Sequence, residues 1–250
     1  PPNFVVHDDD ESLAIDKVIK HVFEGYEEHL GDLTYFGRRA ILCPTNASIN
    51  EVNNKLMDTV PGDARTYLSS NKIVNSDMDE AAANRLFPPE FLENLIISGM
   101  PPHNLTLKVG TPVICLKNIS MERSVCNGTR MIVTRIGVHT IDCKFLSGGN
   151  STITIPRMKL TTSSGNSPIP GCTIQRLQFP LMIAFAMTIT KSQGQSLERV
   201  GVILDRACFA HGQLCVAFSR CTSFEGVKVA ITHEGPQDTT FNVVYPGVLQ

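Results

Sequence analysis

The chain has 250 residues, 42% of them hydrophobic and 18% charged, with a formal net charge of −2. That is enough apolar material for a sizeable core and reads as a globular chain rather than a disordered one. The longest apolar stretch, Phe179 to Ile189, is broken by Pro180 and Thr188 and is too short to span a bilayer, so no membrane partner is expected.

The chain opens on Pro1-Pro2-Asn3, with neither an initiator methionine nor a basic-then-apolar leader, and is read as a piece of a longer protein. Its eight cysteines are spread singly, without a Cys-x-x-Cys pair, as expected of free, mostly buried thiols rather than a metal site. No metal ligand set is therefore assigned. Net charge conceals an asymmetry. Residues 1–104 hold 8 Lys+Arg against 17 Asp+Glu, whereas 105–178 hold 9 basic residues against Glu122 and Asp142, a balance of +7. Clustered cations of that kind give salt-dependent affinity for nucleic acid, so the middle of the chain is the expected polyanion-facing piece.

Ser12 to Leu30 carries apolar residues at a three-to-four residue period and predicts a helix. The acids before it, Asp8 to Glu11, imitate a magnesium-binding carboxylate after a strand but sit where a helix N-terminus favours negative charge. Arg39 to Cys43 predicts a short strand, and Pro44-Thr45-Asn46 opens a helix running to about Met57. Thr45, Asn46 or Ser48 could each cap it, with Ser48-x-x-Glu51 a capping-box match. A loop-rich stretch with Pro88-Pro89 and Pro101-Pro102 follows. Alternating strands are then expected near 105–109, 112–117, 130–136, 140–146 and 151–155. Asn127-Gly128, Gly148-Gly149-Asn150 and Ser163 to Ser167 would supply turns. This texture predicts a small antiparallel barrel. Arg199 to Asp205 and Val227 to Ile231 return to buried parallel strands. The fold class is therefore α/β, a parallel sheet with an inserted β-barrel. The expected boundaries are 1–60 for the first part of the sheet domain, 61–104 for a connecting segment, 105–178 for the basic barrel and 179–250 for the remainder.

Three stretches carry candidate chemistry. Thr45 and Asn46 lie where a strand ends and a helix begins, a place that suits a phosphate as well as a simple cap. Thr188-Ile189-Thr190-Lys191-Ser192-Gln193-Gly194 ends the apolar run Phe179 to Met187 in donors and a glycine that permits close backbone approach. His211 to Arg220 predicts a mostly buried helix ending on an arginine. That guanidinium would either stabilise charge on a transferred phosphoryl group or pair with Asp205 or Glu225.

Taken in order, YFGRRAILCPTNASINEVN, FPPEFLENL, SGMPPHNLTLKVGTPVICLKN, CNGTRMIV, IPRMKL, FPLMIAFAMTITKSQGQSLERVGV and HGQLCVAFSRCTSFEGVKV resemble the carboxyl-terminal half of the petite-integration-frequency (PIF-type) DNA helicases, Helitron-transposon members included. The resemblance implies a motor that uses ATP and Mg2+ to move 5′-to-3′ on single-stranded DNA. This chain would be its second RecA-like lobe with an inserted Src-homology-type barrel. It implies DNA contacts at Thr45, Asn46, Thr188, Thr190, Lys191 and Ser192. Arg130 joins that set from the basic segment. ATP would be met by Gln193, Gly194, Gln213 and Arg220, with Arg220 as the arginine finger and catalytic residue. Many relatives carry His or Asn where this chain has Thr190. No G-x-x-x-x-G-K-[ST] occurs in this sequence, so the phosphate loop and the magnesium carboxylate are expected on an amino-terminal lobe acting in cis. The implied partners are that lobe and single-stranded or forked DNA, for a protein expected to act as a monomer in the nucleus, or in the mitochondrion. The competing expectation is a stand-alone single-stranded nucleic-acid-binding module from a decayed transposon helicase.

Overall fold

A computed structural model describes residues 4–6, 8, 10–76, 85–147, 151–162, 167–233 and 239–245. The chain divides into two compact units, residues 1–61 with 183–250 and residues 62–182. The expected connecting segment 61–104 thus falls, apart from its first residue, in the same unit as the basic stretch. Gly148-Gly149-Asn150 and residues 163–166 lie outside the described residues.

The first unit begins with β1 (Val5–Val6), α1 (Glu11–Phe23), α2 (Leu33–Gly37), β2 (Arg39–Cys43) and α3 (Asn46–Thr59). Asp10 caps α1 by accepting from Ser12 N–H at 2.8 Å, and Asp8 pairs with Lys17 at 2.8 Å, so two of the four leading acids serve the helix. The helix is shorter than its apolar period suggests. It ends at Phe23, and the rest of the expected span forms a separate 3₁₀ turn, Tyr26–His29.

The second unit takes up the chain with β3 (Arg65–Leu68), β4 (Ser70–Ser76), α4 (Pro89–Glu93), β5 (Asn104–Leu107), β6 (Pro112–Cys115), β7 (Arg130–Ile136), β8 (Thr140–Phe145), β9 (Thr152–Pro156), β10 (Met158–Thr161), β11 (Cys172–Gln178) and β12 (Leu181–Ile183). One sheet has the order β12-β6-β7-β8-β9, another β10-β11-β4, and β3 pairs with β5. These pairings do not confirm the small antiparallel barrel expected from the strand texture. The first of its five strands pairs with Arg65–Leu68 instead, and Leu181–Ile183 takes its place as the fifth strand. Alternation identifies a strand but not its partner. Asn127-Gly128 does sit in a tight turn, closed by Thr129 N–H donating to Cys126 O at 3.0 Å, but a further loop separates it from β6.

The chain then returns to the first unit with β13 (Ala186–Thr188), a 3₁₀ turn Ile189–Ser192, β14 (Arg199–Leu204), α5 (Gln213–Phe218) and β15 (Val227–Ile231). Its strands form one parallel sheet in the order β1-β15-β14-β2-β13. The apolar run Phe179 to Met187 is therefore two strands in two sheets, not one. Phe185 at the break is fully buried, with its ring 5.7–6.0 Å from those of Phe23, Tyr26 and Phe36. Helix α1 lies so close over β14 that a Cβ on Gly201 would fall 2.5 Å from Val18 Cγ1, which is why that strand position has no side chain.

Candidate functional site

Because β13, β2 and β14 are adjacent and parallel, their carboxyl ends share one edge of the sheet, with Thr188 in register with Cys43. This is the edge where open α/β sheets bind ligands, since the helices that follow present unpaired N–H groups there. Thr45 caps α3 by accepting from Ser48 N–H at 3.3 Å. Among the three possible caps the structure selects Thr45 and leaves Asn46 exposed in the first turn. Thr45 Oγ1 also donates to Asp205 Oδ2 at 3.0 Å, which ties the end of β2 to the end of β14.

The Thr188 to Gly194 stretch divides by burial. Thr188 caps the 3₁₀ turn, its hydroxyl accepting from Lys191 N–H at 3.3 Å. Thr190, Gln193 and Gly194 are exposed and Lys191 partly so. Gly194 has φ +77° and open space around its Cα, so a side chain there would meet backbone strain rather than a clash. Ser192 is different. It is fully buried and its hydroxyl donates to Ile189 O at 2.6 Å, which makes it a brace of the turn in this structure.

The helix α5 is only six residues long, and of its residues only Gln213 and Ala217 are buried, so the segment is less helical and less enclosed than its apolar content suggests. Gln213 Oε1 accepts from Phe209 N–H at 3.2 Å and Ala210 N–H at 3.3 Å, an internal cap on the loop before the helix. Arg220 lies just beyond the helix and donates to Val216 O at 3.0 Å, Gln195 O at 3.2 Å and Ser219 Oγ at 2.7 Å. Among the described residues no carboxylate pairs with it, neither Asp205 nor Glu225. A cation held by three neutral acceptors keeps its full charge for an anion. Gln195, meanwhile, donates from Nε2 to Lys191 O at 3.0 Å. Arg220 and the Lys191 turn are thus joined through one residue.

Arg130 stands apart from this edge. It is 7% exposed in β7, and burial depresses its guanidinium to about 10. An interior guanidinium has no face to offer a DNA backbone. Arg176 is buried too, donating to Asn71 Oδ1, Pro101 O, Leu92 O and Leu95 O at 2.7–3.3 Å. Two of the nine cations in the basic segment therefore serve the fold, and Arg135 is paired with Asp142 at 2.6 Å. Lys117, Arg123 and Lys159 are exposed.

Sequence reasoning missed two residues here. Asn53 is 3% exposed and holds β13 in place, donating to Ile183 O and Ala186 O and accepting from Ala186 N–H at 2.8 Å. The signal was an amide on the apolar face of α3, in step with Ile49, Val52, Leu56 and Met57. Asp205, considered only as an arginine partner, is the other. Among the described residues no group of three or more His, Cys, Asp or Glu could hold a metal ion, and no helix is long and apolar enough to cross a membrane.

Residues 90–136 match the family model described as the 2B domain of the DNA helicase Pif1. Across 191 residues the chain is 31% identical to the ATP-dependent DNA helicase PIF1 of Rattus norvegicus, an alignment covering 75% of this chain and 26% of that protein. It is 37% identical to the Homo sapiens protein of the same name over 128 residues, 50% of this chain and 19% of that one. The chain thus spans about a quarter of the length of the curated relatives it matches. Among solved structures, Pif1 helicase from Bacteroides in complex with ADP-AlF3 and ssDNA superposes with a TM-score of 0.57 at 20% identity, over 97% of this chain and 52% of that one. Pif1 helicase from Candida albicans gives 0.55 at 22% identity, over 87% and 53%. At such identities these two structures speak for the fold. With the parallel sheet, the strand-end loops and the 2B match together, the chain is identified as a carboxyl-terminal part of a PIF1-type helicase.

Proposed function

We propose that this chain supplies the DNA-facing edge and the arginine finger of an ATP-dependent helicase that moves 5′-to-3′ along single-stranded DNA and unwinds forked duplexes. The observation that carries the reading is the coupling across the sheet edge. Thr45 and the Thr188–Ser192 turn end adjacent strands, and Arg220 reaches back to that turn through Gln195. Bound ATP would supply the phosphoryl group whose cleavage drives movement, with Mg2+ neutralising its phosphates. On this chain Arg220 would meet the developing charge, and Gln193 and Gly194 would pass the change to the DNA contacts. The donor set fits an anion, because Arg220 has no carboxylate neighbour among the described residues. The phosphate loop and the metal ligands are assigned to an amino-terminal lobe in cis. The role would be nuclear and monomeric, in repair, recombination, telomere maintenance or transposition.

The test is anisotropy of a labelled single-stranded oligonucleotide with this chain across a salt series. Binding should be weak and steeply salt-dependent. Lys191→Ala should weaken it several-fold and lower the salt slope by about one. Binding unaltered by Lys191→Ala would remove the turn from the DNA path.

A further inference from the structure

The entrance of α3, assigned above to a nucleic-acid phosphate, already has an anion beside it. Thr45 Oγ1 donates to Asp205 Oδ2 at 3.0 Å, accepts from Ser48 N–H at 3.3 Å, and lies 2.7 Å from Ser48 Oγ. A hydroxyl has one proton to give. While Asp205 accepts it, Thr45 cannot donate to a phosphate oxygen, and Ser48 Oγ–H is left to point at Thr45. The position suits a single negative charge, since α3 runs 14 residues and its N-terminal N–H groups and dipole stabilise one anion there. Asp205 is held loosely. Among the described residues its Oδ2 has only Arg206 Nε at 3.9 Å as an ionic neighbour and its Oδ1, though buried, has no hydrogen-bond partner, while the side chain is 29% exposed.

We infer that Asp205 is a charge gate on this DNA contact, an internal stand-in for phosphate that occupies the Thr45 hydroxyl and must release it when a phosphodiester docks. Resting on the reading of Thr45 as a DNA contact, the inference adds a residue that sets affinity by competition. Two anions a few ångströms apart repel, so Asp205 holds down the affinity for single-stranded DNA at this edge, and more so at low salt, where screening is weak. It also keeps the cap of α3 satisfied while no DNA is bound. That is the reason for a carboxylate where an attractive residue would bind phosphate more tightly.

Asp205→Asn tests this with little threat to folding, because the amide oxygen can still accept from Thr45 while the charge is gone. Binding of a labelled oligothymidine to this chain is measured for the wild type, Asp205→Asn, Thr45→Val, the double variant and Lys191→Ala, at low and at moderate salt. Melting curves confirm that each is folded. The gate predicts that Asp205→Asn binds about fivefold tighter at low salt, that the gain shrinks as salt rises, and that less than about a twofold gain survives in the Thr45→Val background. If Thr45→Val and Lys191→Ala weaken binding but Asp205→Asn changes nothing, the gate is overturned and the DNA edge stands. An equal gain in both Thr45 backgrounds also overturns it, since the carboxylate would then act only through overall charge. If Thr45→Val and Lys191→Ala leave binding unchanged, or no variant binds, the DNA-contact reading falls and takes the gate with it.

Discussion

The residues expected to meet DNA or ATP sit differently in the two units. In the parallel-sheet unit, Asn46, Thr190, Gln193 and Gly194 lie exposed beyond strand ends. In the unit of residues 62–182, Arg130 and Arg176 sit within strands, and both are interior. The difference teaches that a basic residue in the sequence is not by itself a basic residue on the surface: within strands of the same unit Arg135 and Lys159 are exposed while Arg130 and Arg176 are interior. A segment balance of +7 overstates the polyanion-facing field, because part of it supports the core.

Three measurements would break or sharpen this contrast. The largest effect is expected at the strand-end edge. In a protein joining this chain to the amino-terminal lobe proposed above, Arg220→Ala should reduce DNA-stimulated ATP turnover by on the order of 10³-fold while DNA affinity stays within about twofold. Turnover that survives would return Arg220 to a purely structural post. The interior arginine should behave in reverse. Arg176→Met removes the donor to Leu92, Leu95 and Pro101 carbonyls and should cost about 3 kcal/mol in urea denaturation. Its effect on DNA binding by the folded fraction should be slight. A neutral result in denaturation would mean that water satisfies those carbonyls as well as the guanidinium does.

The smallest effect concerns pH. Burial pushes His21 below its ordinary 6.5, opposed by the hydrogen bond to Gly226 O and reinforced by Arg199 and Lys228. The unfolded chain therefore takes up this proton before the folded chain does. Its contribution to stability is complete above about pH 6.5 and declines as the solution is acidified toward the lowered folded value. His21→Gln should flatten the melting temperature across that window, and an unchanged slope would assign the acid sensitivity elsewhere.

Much of the parallel sheet was legible. Arg39–Cys43 and Val227–Ile231 emerge with the boundaries expected, because apolar β-branched runs closed by Pro44 or a polar stretch leave few alternatives. The inserted unit was read less well. Its alternating strands were found, but β5 pairs backward to β3 because pairing partners are decided by three-dimensional packing, which alternation does not encode. At the site, the exposed loop residues were visible as donors after a strand. Ser192 and Arg130 were not distinguishable from surface residues, since a buried polar group looks the same in sequence as an exposed one until its partner is known. Asn53 was visible in principle and overlooked, because one amide in an apolar stripe resembles an error in the periodicity.

The strand order β1-β15-β14-β2-β13 carries a consequence for synthesis. Both strands made before the inserted unit pair only with strands made after it, β1 with β15 and β2 with β13 and β14. On a ribosome adding about 5–20 residues per second, β2 would emerge and wait on the order of ten seconds for its neighbours. During that interval the apolar stretch Ala40–Cys43 has no sheet to join, whereas residues 62–182 can already close their own pairings. Residues 62–182 should therefore be structured first, and the parallel sheet should close only after its later strands have been made.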